Sequence, residues 1–182
     1  MEKMLAAVFH KNKTNGGEIQ LEEVKVPQIT KSDQVLIEVK ACGICGTDLK
    51  IIEGGHPAKD NIILGHEFVG VVKEIGKNNH DLKINDRVVV DPNERCGYCV
   101  NCRRGLSNLC EYIALGTAFG IYRNGGFAKF CVVPRSTLFK LPEKIDLVAA
   151  SLIEPLSCAV HCHNIANVKE SDNVAIIGAG PM

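Results

Sequence analysis

Four cysteines within one short stretch, Cys96, Cys99, Cys102 and Cys110, constrain this chain more than any other feature. Their spacing is C-x2-C-x2-C-x7-C, with Gly97 and Gly105 leaving the backbone room to wrap. The two-residue gaps let neighbouring thiolates turn to a common centre, and the longer gap brings the loop back to close a fourth corner. Zinc takes four such ligands in a tetrahedron, and a closed all-thiolate shell leaves no position for chemistry, so a structural site is expected. An iron–sulfur cluster also takes four cysteines and is the rival. Four clustered thiols with no metal would be an oxidation liability. The chain holds nine cysteines in 182 residues, an odd number, and Met1-Glu2-Lys3-Met4 lacks the apolar core of a secretory signal. That combination reads as metal binding in a reduced, cytoplasmic setting before it reads as disulfides.

The charge balance, 21 basic against 21 acidic residues, argues against nucleic acid or an anionic membrane as the main partner. No apolar run approaches the roughly 18–20 residues of a membrane span. The first 140 residues or so read as short Val-, Ile- and Phe-rich strands between turn signals: Leu5–Phe9, Ile19–Val26, Gln34–Lys40, Phe68–Ile75, Arg87–Val90, Phe127–Val133 and Leu138–Leu141. The alternation of Ile19 and Leu21 breaks at Glu22-Glu23 before Val24 and Val26, which predicts a bulge. Closely spaced antiparallel strands of this kind close into a sandwich or barrel. Helices are expected from about Cys45 to Ile52, over Leu147–Leu152 and over Pro155–Val168, with Pro155 at the first helical position and Glu154 as N-cap. A last strand, Asn173–Ile177, runs into Gly178-Ala179-Gly180-Pro181-Met182. A strand entering a Gly-x-Gly turn is how a dinucleotide-binding βαβ unit opens, which makes Gly178 and Gly180 candidate cofactor contacts.

A second set of metal-binding residue types lies upstream. Cys45 sits in Ala41-Cys42-Gly43-Ile44-Cys45-Gly46-Thr47-Asp48, and His66 and Glu67 sit in Gly65-His66-Glu67-Phe68-Val69-Gly70, with Gly76 six residues on. Together with the four-cysteine loop and the terminal Gly-Ala-Gly-Pro-Met, these segments resemble the zinc-dependent medium-chain alcohol dehydrogenase family. The resemblance covers essentially the whole chain and about the first half of a family member. Asn79 departs from a usually small or apolar position, and Asn85-Asp86-Arg87-Val88 replaces the commoner Gly-Asp-Arg-Val. The resemblance implies a mainly β fold with short helices, a GroES-like partly open β-barrel over residues 1–152. A connecting helix (153–170) and the first strand and Gly-rich turn of an incomplete Rossmann domain (171–182) would follow.

The same resemblance implies two zinc ions per chain and NAD(P) in the full-length enzyme. Cys45 and His66 become ligands of a catalytic zinc, and Glu67 a ligand or a carboxylate that tunes the metal from behind. Thr47 would take the alcohol proton. Glu154-Pro155-Leu156-Ser157 matches the polyol and threonine dehydrogenase branch, where glutamate lies at or near that zinc. The competing reading of Glu154 is a capping box with Ser151. The implied reaction is oxidation of a secondary alcohol, polyol or amino alcohol to the ketone, by a homo-oligomer in the full-length form. The present chain alone is expected to be inactive, lacking most of the cofactor domain. The alternative is a zinc-stabilised binding module or pseudoenzyme without turnover. A zinc-independent reductase is disfavoured by Cys45, His66, Glu67 and Thr47 together.

Other chemistry-bearing residues read more plainly. Lys50 stands where many relatives end a proton relay with histidine, and lysine cannot shuttle protons near pH 7 unless its pKa falls well below about 10.4. Cys42 reads as a small buried neighbour and Cys131 as a strand-core residue. Cys158, His161, Cys162 and His163 resemble a third cluster, but His161 and His163 point to opposed sides of a helix, so packing and surface roles are favoured. His10, His56 and His80 fall in loop-like segments, with His56 a candidate for the cleft edge. Ile51 and Phe119 fit a substrate pocket and an apolar core equally.

Overall fold

The computed structural model describes residues 2–13, 16–79, 81–178 and 180. Among the described residues eight strands and four α-helices follow in order: β1 (Lys3–Lys11), β2 (Gly17–Lys25), β3 (Gln34–Gly43), α1 (Gly46–Glu53), β4 (Ile62–Ile63), β5 (Glu67–Ile75), β6 (Arg87–Val90), α2 (Val100–Arg103), β7 (Phe130–Pro134), β8 (Leu138–Lys140), α3 (Leu147–Ala150) and α4 (Ile153–Ala166). The strands form a three-stranded sheet, β2-β1-β4, and a five-stranded sheet, β7-β3-β5-β6-β8. Every pairing is antiparallel. The segment leading into β7 ties the two sheets together into a partly open barrel. Ala7 N–H donates to the Phe127 carbonyl (2.9 Å), Val39 N–H donates to that of Lys129 (2.9 Å), and Ala6 bridges Ala128.

Side-chain alternation explains where the core lies. Val35 and Ile37 of β3, Phe68 and Val72 of β5, Val88 and Val90 of β6, and Cys131 and Val133 of β7 bury one face of the large sheet. Val69 and Val89 point the other way and pack on Ala150, Leu147 and Ile153 from α3 and α4. A sheet covered on both faces reads as continuous apolar runs, which is what Phe68–Val72 and Val88–Val90 show.

The expected bulge at Glu22-Glu23 is absent. β1 and β2 pair without a slip from Lys3↔Lys25 to Lys11↔Gly17. The break in alternation marks a change of buried face instead. Val24 packs with Met4, Ala6 and Val8 in one cluster, and Ile19 packs with Phe9, Ile51, Ile62 and Leu64 in another. One hairpin serves two cores, so its apolar pattern shifts phase midway. The register irregularities lie in β3–β5 instead, at Leu36/Ile37 and Val39/Ala41. β4, two residues long, gave no readable signal in the sequence.

Helix α4 starts earlier than the proline suggests. Leu152 is its N-cap and Glu154 lies inside the first turn, so Glu154 does not cap. Pro155 is tolerated there because the first N–H groups of a helix have no intrahelical acceptor to lose. Ser151 makes no capping box either, since its hydroxyl donates back to the Val148 carbonyl (2.7 Å). Asn173–Ile177 pairs with no strand among the described residues, and Ile176 and Ile177 are 86% and 100% exposed. An extended segment becomes a strand only through a neighbour's ladder, so the expected strand is not formed. His10 belongs to β1, not a loop, and its ring pairs with Glu22. His80 lies outside the described residues.

Both departures from the motif have physical reasons. Asn79 is buried, and its amide donates to the carbonyls of Ser32 (3.3 Å), Gln34 (3.1 Å) and Gly76 (3.2 Å), closing a turn. Asn85 adopts φ 72°, a left-handed conformation that asparagine visits more readily than other side chains.

Candidate metal centres

The four-cysteine loop is built around N–H···S contacts. Cys99 caps α2 and accepts from the Cys102 N–H (3.5 Å), Cys96 accepts from Cys99 N–H (3.3 Å), and Cys110 accepts from Cys96 N–H (3.3 Å). All four sulfurs lie within 4.8 Å of one another, and those of Cys96 and Cys110 are 3.6 Å apart. That separation is far beyond the roughly 2.05 Å of a disulfide. It is close to the edge, about 3.8 Å, of a tetrahedron with 2.3 Å metal–sulfur bonds. Without a cation the four thiols cannot all ionise together. The Cys96 N–H helps hold Cys110 down to about 6, while lost hydration and then the neighbouring thiols push Cys102 up to about 12. A divalent cation held by the four sulfurs would remove that conflict.

The second centre is assembled by strand register. Gly43, at the end of β3, pairs with Glu67, at the start of β5. Cys45 follows Gly43 by two residues as the N-cap of α1, and His66 precedes Glu67, so donors far apart in sequence arrive side by side. Cys45 Sγ, a His66 ring nitrogen and a Glu67 carboxylate oxygen all lie within 4.8 Å of one another, with His66 and Glu67 buried. The Glu67 carboxylate occupies the space that a Cβ on Gly43 would fill, since Oε2 would lie 2.3 Å from it. Thiol, imidazole and carboxylate are the donor types zinc accepts, and the residues present fit it. Thr47 Oγ1 lies 3.6 Å from Cys45 Sγ.

Asp48 is the functional residue that the sequence reading left without a role. Its side chain is buried, and Oδ2 accepts from the Cys45 N–H (2.9 Å). Oδ1 lies 3.5 Å from His66 Nδ1, and neither atom has a hydrogen-bond partner. Burial disfavours a charged His66, yet Asp48 and then Cys45 outweigh it and raise the imidazole to about 9. The signal was present as Cys45-x-x-Asp48, an acid three residues after a helix N-cap. The backbone beneath His66 is tightly stacked: a Cβ on Gly120 or Gly125 would meet the Gly65 carbonyl oxygen at 2.3 Å or 2.1 Å.

Glu154 is not among the donors gathered at this centre. It is half-buried beside it. Burial raises its carboxyl, the His66 charge opposes that, and Glu67 and Asp91 raise it further. It also lines a cleft of about 750 Å³ between α4, β6 and β8 that includes Cys158, His161 and Cys162 but not His163.

The remaining candidates separate cleanly. Ile51 and Phe119 belong to the core clusters, and Lys50 is exposed. Burial raises the Cys42 thiol and pushes that of buried Cys131 up to about 12. His56 Nδ1 lies 2.9 Å from the Pro57 carbonyl. Gly178, at φ 100°, and Gly180 are both exposed, and Ala179, Pro181 and Met182 lie outside the described residues. No helix among the described residues is long and apolar enough to cross a membrane.

An antiparallel, partly open barrel carrying a four-thiol lobe and a separate Cys/His/Glu cluster has the donor groups of a metal-binding class of domain. Residues 31–143 match the alcohol dehydrogenase GroES-like domain, and the chain belongs to that family. It is 39% identical over 168 residues to D-xylulose reductase A of Aspergillus oryzae, covering 90% of this chain and 46% of that protein. Among solved structures, the alcohol dehydrogenase RspB of Escherichia coli, in complex with NADH, superposes with a TM-score of 0.84 at 32% identity. The match covers all of this chain and 51% of that one. Galactitol-1-phosphate dehydrogenase of Escherichia coli gives 0.80 at 29% identity, covering 89% of this chain and 45% of that one. The chain spans about half the length of the relatives it matches.

Proposed function

We infer that this chain is the zinc-holding catalytic part of an NAD(P)-linked dehydrogenase that oxidises a secondary alcohol, polyol or amino alcohol. The observation that carries this reading is the convergence of Cys45, His66 and Glu67 within 4.8 Å, in a chain of this family. Residues 1–152 form the catalytic domain, 153–170 the connection, and 171–182 the entry to the cofactor domain. The whole protein works in the cytoplasm as a homo-oligomer.

Cys45, His66 and Glu67 hold a catalytic zinc, with the Glu154 carboxylate beside it, and Cys96, Cys99, Cys102 and Cys110 hold a structural one. The catalytic ion supplies Lewis-acid chemistry that favours an alcohol's deprotonated form and so its donation of hydride to a nicotinamide. Asp48, whose Oδ1 lies 3.5 Å from His66 Nδ1, is placed to orient the His66 ring as a metal ligand. Thr47 Oγ1 accepts the substrate proton and passes it outward. Gly178 and Gly180 lie at the turn where the cofactor pyrophosphate would rest.

Metal analysis tests the reading. Two zinc ions per chain are expected at these two centres, with Cys45→Ser losing one and Cys96→Ser the other. Iron in place of zinc, or Cys45→Ser retaining both ions, overturns it. Glu154→Ala should speed exchange of the Cys45-site zinc alone. A helix-terminus role would instead change stability by about 0.3–1 kcal/mol and leave metal exchange untouched. The 182-residue chain itself should oxidise no alcohol, because hydride transfer needs the nicotinamide held about 3–3.5 Å from the reacting carbon. Cofactor-dependent turnover by this chain would overturn that part.

A further inference from the structure

We propose a third metal site, on α4, made by Cys158, His161 and Cys162 and suited to a soft, thiophilic d10 cation. This goes beyond the zinc chemistry above and does not depend on it. Helix α4 runs unbroken from Ile153 to Ala166, and residues three and four apart share a helical face. Cys158, His161 and Cys162 accordingly line the same cleft, one turn beyond Glu154, and His163 does not. Both thiols are free and exposed.

The helix decides what this pair of thiols can do. Cβ atoms four residues apart on a helix lie about 5–6 Å from each other. A disulfide needs them at about 3.5–4.5 Å, so the intact helix holds the two sulfurs apart as a dithiol. An ion with metal–sulfur bonds of about 2.3 Å spans sulfurs about 3.8 Å apart, which rotation about χ1 can reach. His161, between the two in sequence and on the same face, adds a nitrogen. Two thiolates and an imidazole form a soft donor set, which selects d10 ions over magnesium or calcium. Unlike those of the two centres, these donor atoms do not all lie within 4.8 Å of one another, so side-chain rotation has to bring them to an ion.

Native mass spectrometry of the zinc-loaded chain titrated with cadmium tests this. A total of three bound ions, zinc plus cadmium, is expected. Cys158→Ser/Cys162→Ser should bind two and keep its circular dichroism, since both positions are exposed. His161→Ala should keep the third ion with at least tenfold weaker affinity. Two ions on the native chain, three on the double variant, or a Cys158–Cys162 disulfide formed in air with the helix intact overturns the site. Unchanged affinity in His161→Ala removes the imidazole from it.

Discussion

The two metal centres are built on opposite principles. The four-cysteine lobe draws all its ligands from one loop, and that loop has little else to hold it. Of the four cysteines only Cys110 is buried, α2 buries no residue, and Tyr98, Val100, Leu106, Leu109 and Leu115 are exposed. The Cys45 centre draws its ligands from the ends of two barrel strands whose pairing is fixed by buried Val35, Ile37, Phe68 and Val72. In the lobe a metal would organise the chain, whereas in the barrel the chain itself gathers the donors. A local motif can be read from spacing alone, whereas a centre made by strand register needs the fold.

The comparison breaks most directly at Cys96. Cys96→Ser, or exhaustive chelation, should abolish hydrogen-exchange protection across residues 96–110 while the barrel strands keep theirs. The loss is large because structural zinc contributes about 10–16 kcal/mol of apparent binding energy in small zinc-dependent folds. Retained protection in the zinc-free lobe would show that the chain, not the ion, shapes it.

The barrel's side of the contrast is tested by Phe68→Ala. This residue is fully buried next to Glu67, and truncating it should destabilise the barrel by about 3–5 kcal/mol. Denaturant unfolding should register that loss while the four-cysteine lobe keeps its zinc.

Asp48→Asn separates orientation from ligation. Altering a residue that orients a metal ligand weakens affinity about 10–100-fold, and the effect should fall on the Cys45-site zinc only. Competition with a chromophoric chelator reads it, and equal loss at both sites would contradict the division.

The smallest effect concerns acid. The amines of Lys40 (2.8 Å) and Lys73 (2.8 Å) hold the Glu38 carboxyl down to about 2. A carboxylate lowered in the folded state stabilises fully above its unfolded value, near about 4.3, and loses that contribution as pH falls toward 2. Lys73→Ala should flatten this window in the metal-free chain, by a modest amount because the lysines are partly solvated. An unchanged pH profile would remove Glu38 from the forces that hold β3 to β5.

The sequence carried the β6 boundaries and the four-cysteine cluster, because each rests on local chemistry, whereas Cys45, His66 and Glu67 were legible only through the family resemblance. It did not reveal that β1 and β2 face two cores, because a phase shift in alternation looks the same whether a bulge or a second core causes it. Glu154 was misplaced for a related reason. Pro155 marks a first turn but not which residue of that turn, and Ser151 and Leu152, turn residues with right-handed helical dihedrals between α3 and α4, bring the start forward to Ile153. Asp48 needed His66 brought beside it before its carboxylate had a purpose.

The stacked glycines beneath His66 carry one more consequence. Where Gly120 and Gly125 stack on Gly65, a methyl added to either collides with main chain that cannot turn aside, and one added to Gly65, at φ 88°, meets the Phe127 ring (2.6 Å) and Cys42 Sγ (2.8 Å). A comprehensive mutational scan should therefore find these three positions closed to every substitution, although none of them offers a functional group. The freedom of this region to diversify lies in the residues around the metal, and the floor on which its histidine stands admits a single alphabet letter.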